Sequence, residues 1–101
     1  MRKENWPVPG DTIMPYHGLN QPCVAWRGPR TASGVETIER KERLLVIARA
    51  LNPDGDWREE GVMRDSGERW SNTWWMALRP NGRWVWINEA QMESFYRKAD
   101  E

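Results

Sequence analysis

The clearest pattern of apolar and polar positions lies between residues 70 and 87, where two apolar runs, Trp74-Trp75-Met76-Ala77-Leu78 and Trp84-Val85-Trp86-Ile87, flank the polar Arg79-Pro80-Asn81-Gly82-Arg83. Asn-Gly between two apolar runs is the strongest short hairpin signal, because both residues tolerate the positive φ of a type I′ turn. With Asn81-Gly82 as a two-residue loop, Leu78 faces Val85 and Met76 faces Ile87, and Trp74 lies further along the same face. Ala77 then pairs with Trp86 and Arg79 with Trp84, while Trp75 lies diagonal to Trp86. The predicted hairpin has one aliphatic side ready for a core. Its other side carries Trp75, Trp84 and Trp86 around the small Ala77, with Arg79 placed to stack on an indole.

The rest of the chain reads as short strands. Prolines 7, 9, 15, 22 and 29 keep the first thirty residues from being helical. A turn at Pro9-Gly10 leads into a short strand at Thr12-Ile13-Met14, and Val24-Ala25-Trp26 form another, closed by Arg27-Gly28-Pro29-Arg30. After the turn signal Ser33-Gly34, residues 35–40 fit either a strand or a single helical turn. In the most apolar segment, 42–51, Leu44, Ile47, Ala48 and Leu51 share one helical face. The β-branched Val46-Ile47 pair, the short run and the turn residues Asn52-Pro53-Asp54-Gly55-Asp56 favour a buried strand. Residues 57–64 are expected to return as a strand, with a turn at Asp65-Ser66-Gly67-Glu68 before the tryptophan hairpin strands near 70–79 and 83–87. Asn88 followed by Gln91 has the spacing of a capping box. It opens a short helix with Met92, Phe95 and Tyr96 on one face, placed to plug or flank the sheet, and the charged last residues are expected to fray. The whole predicts one mostly-β domain over residues 1–101, ordered from about 6 to 97. A small barrel that closes its own edges suits this length better than a seven-stranded sandwich.

Composition narrows the function classes. Fifteen basic and fifteen acidic side chains cancel, which removes the broad positive field of nonspecific nucleic-acid binding, although Arg27, Arg30, Arg40 and Arg43 remain able to build a local patch. Cys23 is the only cysteine, so neither an intramolecular disulfide nor a cysteine-built zinc site is open to the chain. Met1-Arg2-Lys3 leads into polar, proline-rich sequence without a secretory apolar run, and no stretch approaches membrane-spanning length. A cytoplasmic protein without a membrane contact is expected.

Candidate chemistry is thin. His17 and Cys23 are six residues apart in a Pro/Gly-rich region. Nothing in that spacing requires the hydrogen-bonded pair that nucleophilic catalysis needs. Asn52, Asp54 and Asp56 alternate like calcium ligands, yet Trp57 replaces the required glycine and Met63 the bidentate glutamate. Glu59 and Glu60 are neighbours, and neighbours on a strand point to opposite faces. No enzyme activity, metal or cofactor is expected.

The order of features resembles the bacterial SH3-type barrel. Arg27-Gly28-Pro29-Arg30-Thr31, the apolar 43–50 run, Trp74-Trp75-Met76-Ala77-Leu78, Arg83-Trp84-Val85-Trp86-Ile87 and residues 88–95 are similar to its successive elements. Residues 52–72 are an insertion relative to that pattern, Arg83 stands in place of a glycine, and the first twenty residues have no counterpart. The resemblance implies an SH3-like antiparallel barrel with a short C-terminal helix, and a ligand groove lined by Trp75, Trp84 and Trp86. Two readings of the indole face stay open: packing beneath a loop or a terminal segment such as that of Trp6, or an exposed recognition patch. The function expected is a noncatalytic module binding a protein or peptide through Trp75, Trp84, Trp86, Arg79 and Arg83. In general character it resembles accessory or inhibitory proteins of phages and mobile elements. The alternative is single-stranded nucleic acid, with bases stacked on the indoles and Arg27, Arg30, Arg79 and Arg83 on phosphates. Oligomeric state is not legible.

Overall fold

The computed structural model describes residues 1–16, 22–29, 33–51 and 73–99. The expected turns at 52–56 and 65–68, the strand at 57–64, His17 and Arg30 lie outside them. The described chain runs through a 3-10 turn at Lys3–Asn5, strands β1 (Thr12–Pro15), β2 (Cys23–Trp26), β3 (Val35–Ile38), β4 (Leu44–Leu51), β5 (Thr73–Leu78) and β6 (Trp84–Asn88), helix α1 (Glu89–Phe95) and strand β7 (Tyr96–Lys98). The seven strands form one antiparallel sheet in the order β3-β2-β6-β5-β4-β1-β7, curled into a half-barrel. The architecture is mostly β with one short C-terminal helix. Residues 44–51 are a strand and residues 35–38 are extended, as their β-branched content favours.

The β5–β6 hairpin differs from expectation by one residue. Its loop is Pro80-Asn81-Gly82: the Arg79 amide donates to the Arg83 carbonyl at 2.8 Å and the Gly82 amide to the Arg79 carbonyl at 2.9 Å. This is a three-residue hairpin loop that ends on a left-handed residue, Gly82, with φ +85°. Proline supplies the reason. A two-residue Asn81-Gly82 loop would make Pro80 the closing ladder partner of Arg83, and proline has no N–H to donate there. Taking Pro80 into the turn passes that bond to Arg79. Leu78 consequently pairs with Trp84, Ala77 with Val85, Met76 with Trp86 and Trp75 with Ile87. The one-residue slip exchanges the two faces of β5 while leaving β6 as expected. Because an alanine at Gly82 would meet no neighbouring atom, Gly82→Ala isolates the cost of positive φ. Thermal or denaturant unfolding is expected to show a loss of about 1 kcal/mol.

The concave face holds the core. Ile13, Ala25, Ile38, Leu44, Val46, Trp75, Ala77, Val85 and Ile87 are buried there with Met92 and Tyr96. Trp6 meets Trp75 edge-on at 5.1 Å, and the Trp75 indole N–H donates to the Pro7 carbonyl at 2.8 Å. The N-terminal segment thus covers an indole, but on the inner side. In β4 the register shifts between Val46 and Ala48, a bulge that keeps Leu44 and Val46 inside and puts Ala48 opposite Met76 on the outer face.

Asn88 caps α1 as its spacing predicts, its side-chain oxygen accepting from the Gln91 amide at 3.0 Å. The helix fills a wedge. β2 meets β6 at a single residue pair, Trp26 with Trp86. Beyond it the Tyr96 hydroxyl donates to the Val24 carbonyl at 2.9 Å and the Cys23 thiol to the Phe95 carbonyl at 3.4 Å. The charged end is paired as far as Lys98, one residue past the expected ordered limit near 97, because Tyr96, Arg97 and Lys98 pair with Pro15, Met14 and Ile13 of β1. No helix among the described residues is long and apolar enough to cross a membrane.

Candidate functional site

The convex face of the sheet carries an apolar surface set by strand alternation. Since Val85 and Ile87 point inward, Trp84 and Trp86 point outward, and the ladder brings their partners to the same side. One row across the sheet is Val35, Trp26, Trp86, Met76 and Ala48; the next is Trp84, Leu78 and Leu45. Trp74, two residues from Met76, stands edge-on to Trp26 with ring centroids 5.5 Å apart, and both rings are buried. Trp86, Met76 and Leu78 are half-buried. Val35 is 54% exposed, Trp84 49% and Leu45 40%, so three large apolar side chains in two neighbouring rows reach solvent on one face.

Of the residues assigned to the indole face from the sequence, Trp84 and Trp86 are on it and Trp75 is not. The register slip turns Trp75 into the core, where it is fully buried, and brings Trp74 to the face in its place. Trp26, Val35 and Leu45 were missed. Proline in the loop was the available signal for Trp74; for Trp26, with an apolar neighbour before it in a short run, local alternation offers none.

Arg79 does not stack on an indole. With the loop closed at residue 79, its side chain points inward and forks onto Glu42, Nε to Oε2 at 2.6 Å and Nη2 to Oε1 at 2.9 Å, while Nη1 meets Glu36 at 2.8 Å. Hydrogen bonds donated to Glu42, opposed in part by burial and reinforced by Glu36, hold the Arg79 guanidinium above the usual arginine range. Glu36, buried on β3, also accepts from Arg83 at 2.8 Å and lies 3.4 Å from Arg27 Nε. Arg27, Arg79 and Arg83, assigned to phosphate contacts in the nucleic-acid alternative, are therefore engaged with carboxylates at one end of the sheet, Arg27 and Arg83 remaining more than half exposed.

Cys23, the other member of the candidate pair, is buried. Burial raises the Cys23 thiol, which favours the protonated donor seen in its bond to Phe95. Burial likewise pushes the Tyr96 phenol well above its usual range, keeping the hydroxyl a donor to Val24. Among the described residues no group of three or more potential metal ligands comes together.

Comparison with protein-family models, curated proteins and solved structures returns no match. The likeness to the bacterial SH3 barrel rests on the short motifs quoted above.

Proposed function

We propose that this chain is a noncatalytic binding module that recognises a protein or peptide through the convex face around Trp84, Trp86 and Leu78. The observation that carries this reading is the exposure of Val35, Trp84 and Leu45 together on one side of one sheet. Contiguous apolar surface is scarce on soluble domains and marks contact sites. Tryptophan is the side chain most enriched at the centres of such contacts, because it buries a large area for little lost freedom. Single-stranded nucleic acid is disfavoured by the arrangement of charge. Backbone phosphates are met by accessible cations along the path, whereas Arg79 is sheltered against Glu36 and Glu42, and Arg27 and Arg83, though exposed, lie beside Glu36.

Selection of peptides from a displayed random library against the immobilised protein tests the reading. Trp84→Ala, at a half-exposed site, is expected to leave unfolding within about 1 kcal/mol of the parent and to weaken the selected peptides by about thirtyfold. Raising salt is expected to change that binding little. Steep salt loss, with displacement of the peptides by an oligothymidylate, would instead assign the face to nucleic acid.

A further inference from the structure

Strand β3 is an open edge: among the described residues it pairs with β2 and with nothing on its other side. The phase of its hydrogen bonding is fixed by one contact. The Arg27 amide donates to the Gly34 carbonyl at 3.0 Å, so Arg27 and Gly34 are a hydrogen-bonded pair in the register that joins Trp26 to Val35 and Ala25 to Glu36. Pairs alternate along an antiparallel ladder. Glu36 and Ile38 therefore bond to β2, and the N–H and C=O groups of Val35 and Thr37 point away from the sheet. The side chains of Val35 and Thr37 stand on the convex face, both exposed, and Val35 adjoins Trp26.

We infer that β3 is a docking edge for an extended peptide segment of another protein, added antiparallel as an eighth strand, with apolar residues outward and acidic residues inward. This rests on, and deepens, the reading of the convex face as a protein-binding surface. Charge selects the occupant. On the inner side, Arg79 is matched by Glu42 and by Glu36, which leaves Arg27 and Arg83 to share the one carboxylate of Glu36. An acidic side chain beside Glu36 on an added strand meets the exposed Arg27 guanidinium. A second copy of this chain in the same place would bring its own Arg27 and Arg83 to that cluster, so like charges oppose self-pairing. On the convex side, an apolar residue opposite Val35 extends the row that runs through Trp26, Trp86 and Met76. Main-chain bonds supply affinity and the alternating side chains supply selectivity, as in other strand additions.

The test is fluorescence anisotropy with an end-blocked, fluorescein-labelled peptide, Thr-Val-Glu-Val-Glu-Val-Thr, titrated with the full chain. Saturable binding below about 1 mM is expected. Thr37→Pro removes an N–H that faces away from β2, a position where edge strands tolerate proline, and is expected to weaken the peptide about tenfold. Methylating the amide of the central valine repeats that loss without altering the protein, whereas methylating a glutamate amide, which points away from β3, does not. Replacing both glutamates of the peptide by lysine is expected to abolish saturation. Absence of saturation with the parent peptide, equal binding of the lysine peptide, or full binding by Thr37→Pro and by the valine-methylated peptide would each overturn the proposal. A concentration-dependent dimer, seen by sedimentation and lost in Thr37→Pro, would overturn it in favour of a second copy. If library-selected peptides depend on Trp84 but ignore Thr37→Pro, the convex face stands and the edge proposal alone fails.

Discussion

Trp75→Ala is expected to lower stability by about 3–5 kcal/mol, a large part of the roughly 5–15 kcal/mol that holds a domain of this size together. Trp75 is fully buried at the centre of the concave core, and two losses add there. Truncation leaves a void that the flanking strands cannot close, because Trp75's ladder partners, Ile87 of β6 and Arg49 of β4, are held in register on either side. It also leaves the Pro7 carbonyl without the indole donor and Trp6 without its edge-on partner. Chemical denaturation followed by far-ultraviolet dichroism measures the loss, and Trp84→Ala is the matched control. If the two substitutions cost the same, the assignment of Trp75 to the inside and Trp84 to the outside is wrong.

A comparable loss is expected from Arg79→Ala. Its guanidinium is 12% exposed, and the Glu36 and Glu42 side chains it joins are 6% and 11% exposed. Removing the cation leaves two sheltered carboxylates close together, with Arg27 and Arg83 compensating only Glu36. Breaking one side of such a buried pair costs about 3–5 kcal/mol. Arg79→Lys is expected to recover part of this and no more, since an ammonium keeps the charge but cannot make the planar fork that Glu42 accepts. Because the Arg79 guanidinium is held above its ordinary value, its contribution is fully present at every pH below the usual arginine range and is lost only as pH rises beyond that range toward the raised folded-state value. Urea midpoints of the two variants at neutral pH decide the matter. An Arg79→Lys variant as stable as the parent would show that charge alone is sufficient.

Local chemistry made much of this fold legible. Asn88 and Gln91 announce the helix start, Val46 and Ile47 favour strand over helix, and the alternation of β6 correctly assigns Val85 and Ile87 to the core. Register was a different matter. Every position of β5 from Trp74 to Leu78 is apolar, so its pattern cannot by itself say which side faces inward. The decision falls to the loop, where a missing proline N–H outweighs the preference of Asn-Gly for the tighter turn. The Glu36–Arg79–Glu42 cluster was out of reach for another reason: its members lie far apart in sequence and meet only because the sheet curls. So was β7, whose polar Arg97 and Lys98 become a strand by virtue of β1 lying alongside.

The ladder between β2 and β6 is a single pair, Trp26 with Trp86. On one side lie the five strands β6, β5, β4, β1 and β7; on the other, the β2–β3 ribbon is held by that pair, by two side-chain bonds to the end of α1 and the start of β7, by the ion cluster on Glu36, by the Trp26–Trp74 contact and by Cys23, Ala25 and Ile38 buried in the core. Few backbone bonds join the ribbon to the rest of the sheet, so side-chain packing and ion pairing carry most of its attachment. A segment seated on its outer margin is thereby tied to the rest of the molecule chiefly through side chains.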